Sequence, residues 1–199
     1  MSTSKRSLVL SGAGLAVVLA VTACGSGTDG STSMGGMNGH GSSSAASPAG
    51  SANRAGDVMF AQMMVPHHQQ AIEMADLAVA KASASADVRR LAEQIKAAQD
   101  PEIATMNGWL RKWGAPTTAA MDHGTSGMMS EQDMASLEAA EGAEFDRTWL
   151  EMMVDHHEGA VTMAQDVLSS TQDAEVQSLA RAIVDAQKKE IAMMRGMLK

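Results

Sequence analysis

The sequence predicts an all-α fold, namely a four-helix bundle built from two duplicated helical hairpins. The first observation behind this prediction is an internal repeat. Residues 63–75 (MMVPHHQQAIEMA) align with residues 152–164 (MMVDHHEGAVTMA), and residues 91–110 align with residues 179–198. The second is the spacing of apolar residues by three and four positions in both copies, which is typical of one face of an α-helix. One helical hairpin cannot bury its apolar face alone, so the two copies are expected to pack against each other.

The residues before the bundle are expected to direct export and to tether the protein. Residues 1–23 combine Lys5, Arg6, a short apolar stretch and small residues, the pattern of a secretory signal peptide. The stretch VTAC that ends at Cys24 resembles the bacterial lipobox, which implies cleavage before Cys24 and a lipid on its sulfur. Residues 24–54 are mostly Gly, Ser and Ala, a composition typical of a flexible tether. We therefore expect an exported protein, lipid-anchored on the outer face of the cell membrane.

Composition narrows the function classes. The chain of 199 residues has 18 Met, two Phe, no Tyr and a single Cys, so no disulfide can form within it. Loss of the signal peptide would leave 13 basic against 23 acidic residues, a formal charge of −10. Such a charge argues against a nucleic-acid partner, because phosphate recognition needs a basic surface. The acidic balance suits a protein that works among cations.

The elements of the domain, expected over residues 55–199, follow from cap and breaker residues. In repeat 1, about 57–113, the first helix runs from Asp57 to Ala82 and the second from Ala86 to Trp113, with Ser85 as its N-cap. The crossover, 114–142, opens with Gly114 and Pro116, which end a helix. It contains a short helix capped by Ser130. Repeat 2, about 143–198, holds a third long helix to Ser169 and a fourth capped by Asp173. The first and third connections between the four long helices are short and the second is long, which is typical of a ferritin-like bundle.

Methionine and histidine recur at helical spacing in both repeats. Met63 precedes His67 by four residues, and Met152 precedes His156 by four, so each pair shares one helix face. A thioether beside an imidazole is a ligand set for a soft or borderline metal, Cu(I) first among them. Methionine also fills gaps in cores without any metal. Its regular placement beside histidine favours the metal hypothesis.

Polar residues also fall on the apolar stripes of the second and fourth long helices. Gln99 and Glu102 lie on the first of these stripes, and Gln187 and Glu190 occupy the corresponding positions in the second copy. A carboxylate on a core face is costly unless it is paired or bound to a metal. Folding each hairpin about its turn brings the glutamine and glutamate to the depth of the histidines. We therefore expect one Met/His/Glu site in each hairpin.

The predicted metal ligands form a primary and a secondary set. The primary set is Met63, His67, His68, Glu102 and Met106 in repeat 1, and Met152, His156, His157, Glu190 and Met194 in repeat 2. The secondary set is Met74 and Met163, which could be core residues or an outer site, and Met121, His123, Met128 and Met129 on the crossover. A metal-free alternative stays open, in which Glu102 accepts a hydrogen bond from His67 and the duplicated polar pairs only set helix register.

These motifs resemble a bacterial family first described as domain of unknown function 305 and now regarded as CopM-like and copper-binding. The resemblance covers about residues 55–199. It rests on the two MMV-x-HH motifs, on AQDPEIATM and AQKKEIAMM, and on HGTSGMMS in the crossover. It implies a ferritin-like bundle outside the cytoplasm that binds copper and contributes to copper homeostasis or tolerance. The methionine and histidine ligands themselves favour Cu(I), with Cu(II) possible.

An enzyme is the less favoured class. A ferritin-like di-iron oxidase uses Glu-x-x-His motifs on its helices. No Glu or Asp in the four long helices has a histidine three residues later. A hydrolase is equally disfavoured, because neither Ser130 nor Cys24 has a base arranged beside it. The sequence therefore predicts metal binding without catalysis.

Overall fold

The computed structural model describes residues 48–117 and 126–199. These belong to one compact unit, Ser44–Lys199. Several predicted features lie outside the described residues: the signal peptide, Cys24, the tether up to residue 47, Met121 and His123. Five helices are present in the described parts: α1 (Pro48–Ala80), α2 (Ala86–Trp113), α3 (Glu131–Ala139), α4 (Gly142–Leu168) and α5 (Ala174–Met197).

Helix ends follow the local chemistry of the sequence. The hydroxyl of Ser85 accepts a hydrogen bond from the Val88 amide and starts α2. The same helix ends at Gly114, whose φ of +65° lies in the left-handed region that glycine tolerates. A capping box at Ser130 starts α3, and the carboxylate of Asp173 caps α5.

One boundary differs from the expectation by more than a few residues. Helix α1 begins at Pro48, nine residues before the predicted start at Asp57, so the end of the proposed tether is helical. Proline is compatible with the first turn of a helix, where no backbone N–H is needed. Pro66 and Pro101 lie inside α1 and α2 on exposed sides, and both helices continue through them.

The bundle is assembled from two hairpins that meet through α1 and α4. Helix α2 packs on α1, α5 packs on α4, and α3 packs on α4. The buried apolar residues form two separate clusters, one toward each end of the bundle. One cluster includes Met74, Ile95, Trp149 and Met153, and the other includes Phe60, Met64, Leu110 and Ile183; these are cluster one and cluster two below. Along each long helix a polar residue separates the segments that contribute to the two clusters.

No helix in the described parts of the chain has both the length and the apolar character that a bilayer crossing requires.

Candidate metal centre

A buried polar layer separates the two apolar clusters. It contains all four histidines of the described residues and two glutamines. The histidines are 0–1% exposed and the glutamines 2–3% exposed. Polar groups are buried at this density only when hydrogen bonds or a bound ion compensate for lost water. The layer consists of His67 and His68 on α1, Gln99 on α2, His156 and His157 on α4, and Gln187 on α5.

The rings of His67 and His156 meet at the contact between the hairpins. Their centroids are 3.7 Å apart and their planes are inclined by 36°. The expectation of one separate site in each hairpin did not include this contact, which brings the histidines of the two hairpins together. The alignment of the two helices within one hairpin could not predict the contact between His67 and His156, because that contact depends on how α1 of one hairpin packs on α4 of the other.

Each remaining histidine is paired with a carboxylate of its own hairpin. The Nε2 atom of His68 lies 2.8 Å from Oε2 of Glu102, and that of His157 lies 2.9 Å from Oε2 of Glu190. Pairing of Glu102 with His67, which the sequence suggested, is wrong. The next residue of a helix is rotated by about 100°. His67 therefore faces α4, while His68 faces α2 and its glutamate.

Many polar atoms of this layer lack a hydrogen-bond partner. All four histidines have an unpartnered, buried Nδ1 atom, and His156 also has an unpartnered Nε2 atom. The side-chain amide of Gln99 is unpartnered at both atoms, and that of Gln187 at its oxygen. Buried polar atoms are almost always bonded, so a group of orphan atoms in one layer needs an explanation. The atoms available at the centre are chiefly imidazole nitrogens, which are metal ligands when neutral.

Burial keeps the central rings neutral. Burial, assisted by the neighbouring His68, lowers the pKa of His67 to about 3. Burial also lowers the pKa of His156, and the His67 ring acts in the same direction. His67 donates its Nε2 hydrogen to the carbonyl of Ser126, 3.2 Å away. A neutral His67 therefore carries a free lone pair on Nδ1.

The paired methionines of each motif divide between two environments. Met64 and Met153 are fully buried in the apolar clusters, whereas Met63 and Met152 are half-buried. By helical spacing Met64 shares a face with His68, and Met153 shares one with His157. Sequence reasoning selected the first methionine of each pair and missed the second, although the same spacing applied one residue later.

The other predicted methionines are also placed. Met106 and Met194 are fully buried, in cluster two and cluster one respectively, each four residues after the glutamate of its hairpin. Met74 is a core residue, and Met163 is half-buried in a surface cleft together with Met63. Met129 packs against cluster one, and Met128 is half-buried on the crossover.

The crossover lies directly on the polar layer. A Cβ atom on Gly159 would lie 1.9 Å from the Ser126 carbonyl oxygen, and one on Gly127 would lie 2.6 Å from the Asp155 carbonyl oxygen. The two glycines therefore allow the backbones to touch. Beside them the Gln70 side chain donates to the Met129 carbonyl at 2.8 Å and accepts from the Met129 amide at 2.7 Å. Residue 70 is glutamine in repeat 1 and its equivalent is Gly159 in repeat 2, so the duplication has diverged where the crossover binds.

The donor set restricts the chemistry of the layer. In the described parts of the chain, no three His, Cys, Asp or Glu side chains are placed to hold one metal ion. Any third donor beside the imidazoles would be a methionine sulfur or a glutamine oxygen. Imidazole with thioether suits Cu(I), a soft cation that accepts low coordination numbers.

The chain is similar to known proteins over the whole helical bundle. The profile of the family "Domain of unknown function (DUF305)" matches residues 57–198. The chain belongs to the DUF305 family. A crystal structure of a DUF305 protein from Streptomyces coelicolor, described as secreted, is 32% identical. It aligns over 72% of this chain and 91% of its own, with a TM-score of 0.68. A DUF305 fragment from Deinococcus radiodurans is 34% identical over 72% of this chain and 95% of its own, with a TM-score of 0.66.

Solved structures of a protein named CopM are also similar. Its Cu(I)-bound form is 34% identical over 71% of this chain and 94% of its own, with a TM-score of 0.60. CopM has also been solved in Cu(II)-bound and Ag-bound forms. No protein of curated function matches the chain. The family and the all-α bundle predicted from the sequence are thus confirmed, and metal binding is a documented property of a relative.

Proposed function

We propose that this protein binds copper at the buried polar layer and holds or transfers it outside the cytoplasm, without catalysing a reaction. One observation carries the proposal: four buried imidazoles lie in one layer of the bundle, each with an unpartnered Nδ1 atom, and two of them, His67 and His156, are in contact between the hairpins. Their placement is repeated in both halves of the chain. The solved copper-bound and silver-bound forms of CopM support the choice of metal.

The site favours Cu(I) over Cu(II). Burial keeps the rings of His67 and His156 neutral, and the buried methionines Met64 and Met153 share helix faces with the neighbouring His68 and His157. Thioethers are soft donors that stabilise Cu(I), whereas Cu(II) prefers a square arrangement of nitrogen and oxygen. The half-buried Met63 and Met152, with Met106 and Met194 deeper in the clusters, are the remaining candidate sulfur donors.

The glutamates would hold the imidazoles in position. Glu102 accepts from Nε2 of His68, and Glu190 accepts from Nε2 of His157. In the neutral form of each ring, this bond leaves the lone pair on Nδ1. A carboxylate behind a ligand histidine orients the ring and raises its basicity. Glu102 and Glu190 thus act through the rings in this proposal.

A metal-free structural bundle is the second candidate, and the two His–Glu pairs favour it. Such pairs alone would satisfy two imidazole nitrogens and two carboxylates. They leave the four Nδ1 atoms and the Gln99 amide without partners. A layer that served only to set helix register would be expected to satisfy its own atoms. The surplus of orphan nitrogens favours metal binding.

The place of action is part of the proposal. The signal-like residues 1–23 and the lipobox ending at Cys24 support export and lipid anchoring on the outer face of the cell membrane. The description of the Streptomyces coelicolor relative as secreted agrees with export. A tether of Gly, Ser and Ala would let the domain reach a metal donor or acceptor near that surface.

Titration with Ag(I), a redox-inert substitute for Cu(I), followed by competition between Cu(I) and a chromophoric chelator, tests the function. We expect tight binding by the mature chain. The double variant His67→Ala, His156→Ala should bind at least one equivalent of Ag(I) fewer than the wild-type chain. Met193→Leu, on the exposed side of α5, serves as the matched control and should bind the same number. Far-UV circular dichroism checks the fold of each variant.

Two outcomes would contradict the proposal. Absence of Cu(I) binding by the wild-type chain would support the metal-free bundle. Unchanged stoichiometry and affinity in the double histidine variant would place the copper elsewhere. If that double variant fails to fold, Glu102→Gln with Glu190→Gln tests the same layer with all four rings retained, and unchanged affinity there would count against the proposed roles of the glutamates.

A further inference from the structure

An open cleft lies between the N-terminal part of α1 and the C-terminal part of α4. Its volume is about 290 Å³. Among the described residues, three methionines line it together with an apolar floor and one acid at the rim, and none of these lining residues is basic. The lining includes Met59, Met63, Met163, Phe60, Val167 and Asp166.

Met59 stands out because it is exposed. Half of its surface is accessible to solvent, whereas most large apolar side chains of this bundle are buried. Full exposure of a methionine forgoes about 1.5–3 kcal/mol of burial free energy. The corresponding position in the second repeat is Thr148, so Met59 is not part of the duplicated pattern.

The duplication supplies an internal comparison for the cleft. In the repeat alignment, the positions equivalent to Asp166, Ser170 and Phe60 are Leu77, Lys81 and Trp149, which lie at the other end of α1 and α4. Helix α3 packs over this region: Lys81 donates from Nζ to the Glu138 carbonyl at 2.7 Å, and Leu137 is fully buried in the same apolar cluster as Trp149. The crossover thus closes one of two related grooves. The groove with the extra methionine is open.

The chemistry of the cleft is that of a soft-cation site. Three thioether sulfurs are neutral, polarizable donors that suit Cu(I) and Ag(I) and bind hard cations weakly. The carboxylate of Asp166 adds a negative charge at the rim, which favours the approach of a cation. A neutral apolar ligand would gain nothing from the negative charge.

We propose that this cleft is a second soft-metal site, in which Met59, Met63 and Met163 bind one Cu(I) or Ag(I) ion independently of the histidine layer. It differs from the central site in being open to solvent and in lacking imidazole. Met63 lines the cleft and is four residues from His67, and in this assignment its sulfur belongs to the cleft and not to the central site.

The test is a titration of the full mature chain, labelled with ¹³C at its methionine methyl groups, with Ag(I). We expect the methyl signals of Met59, Met63 and Met163 to shift together while that of Met193 stays unchanged. Met193 is the matched control because it is also 50% exposed but lies on α5.

The double variant Met59→Leu, Met163→Leu should bind one equivalent of Ag(I) fewer than the wild-type chain, and Met193→Leu should bind the same number. Methionine-to-leucine exchange conserves volume and costs less than about 1.5 kcal/mol in a core, so folding should be retained. Thermal unfolding checks this for both variants.

The outcomes separate this inference from the central site. Unmoved Met59 and Met163 signals, or unchanged stoichiometry in the double leucine variant, would overturn the cleft site even if the histidine layer binds silver. Shifts caused by a small apolar probe but not by Ag(I) would assign the cleft to hydrophobic docking and would also overturn it. If the double variant His67→Ala, His156→Ala binds one equivalent of Ag(I) fewer while the methyl signals of Met59 and Met163 still shift with Ag(I), two independent sites are confirmed.

Discussion

Replacing Gly159 by alanine should loosen the crossover from the metal centre. The added Cβ would lie 1.9 Å from the Ser126 carbonyl oxygen, and real Cβ atoms stay at least 3.0 Å from such an atom. The two backbones must therefore separate by more than 1 Å. The nearest other obstacle is again backbone, the carbonyl carbon of Ser126 at 2.6 Å, so no flexible side chain can give way.

The energetic cost follows from the bonds that this shift would break. The Ser126 carbonyl accepts from His67, and Met129 is bound to Gln70 by two hydrogen bonds. Three hydrogen bonds contribute about 3 kcal/mol at about 1 kcal/mol each. Alanine regains about 1 kcal/mol over glycine inside a helix. Gly159→Ala should therefore lower the free energy of unfolding by about 2 kcal/mol, or the melting temperature by about 4–8 °C.

Thermal and urea unfolding of the purified chain measure this effect. Gly108→Ala is the control, because it lies inside α2 and its Cβ would meet nothing closer than the end of the Arg111 side chain at 4.0 Å. That variant should be stabilised by about 0.5–1 kcal/mol. If Gly159→Ala were as stable as Gly108→Ala, the close contact between the crossover and α4 would not exist as described. Faster hydrogen exchange at the Met129 amide, which donates to Gln70, should accompany the destabilisation.

Three further predictions concern pH, the glutamates and the paired methionines. Burial lowers the pKa of His67 to about 3 and lowers that of His156, so the folded state takes up fewer protons than the unfolded chain below the ordinary histidine pKa of 6.5. The free energy of unfolding should thus be constant above about pH 7 and fall below about pH 6.5, by up to about 1.4 kcal/mol per pH unit and ring; urea unfolding at pH 7.5 and 5.5 without metal would contradict this if the midpoints agreed. Glu190→Gln should weaken Ag(I) binding about 10–100-fold in a chelator competition while preserving the fold, because the amide oxygen can still accept a hydrogen bond; equal affinity would argue that the carboxylate has no role. Met153→Ala should cost about 2–5 kcal/mol and Met152→Ala clearly less, since only the first is fully buried; equal costs by urea unfolding would show that the burial of the pair is misassigned.

Local patterns explain how much of the fold was predictable. Caps at Ser85, Ser130 and Asp173 satisfy the first amides of three helices by contacts within three residues, so they can be read from sequence. The duplication similarly indicated two hairpins, because each copy carries its own apolar face. The early start of α1 was missed, since the Gly- and Ser-rich composition before Asp57 gives no apolar period to follow.

The partners of the histidines were harder to predict. Spacing showed that Met, His, Gln and Glu lie at one depth in each hairpin. It could not show which of two adjacent histidines faces α2 and which faces α4, because that depends on a rotation of α1 about its axis. A difference of one residue in that rotation explains why His68, and not His67, lies beside Glu102. It also explains why Met64, and not Met63, is fully buried.

The sequence by itself determined the class of the protein, the all-α duplicated bundle, and the residue types of its polar layer, because helical periodicity, caps and repeats act over a few residues. Only the tertiary structure decided that His67 and His156 meet in one cluster, and that the crossover closes one groove and leaves its twin open. His67 and His156 are 89 positions apart along the chain, and Ser126 and Gly159 are 33 positions apart. These contacts depend on how hairpins pack in space, and no local pattern encodes that geometry.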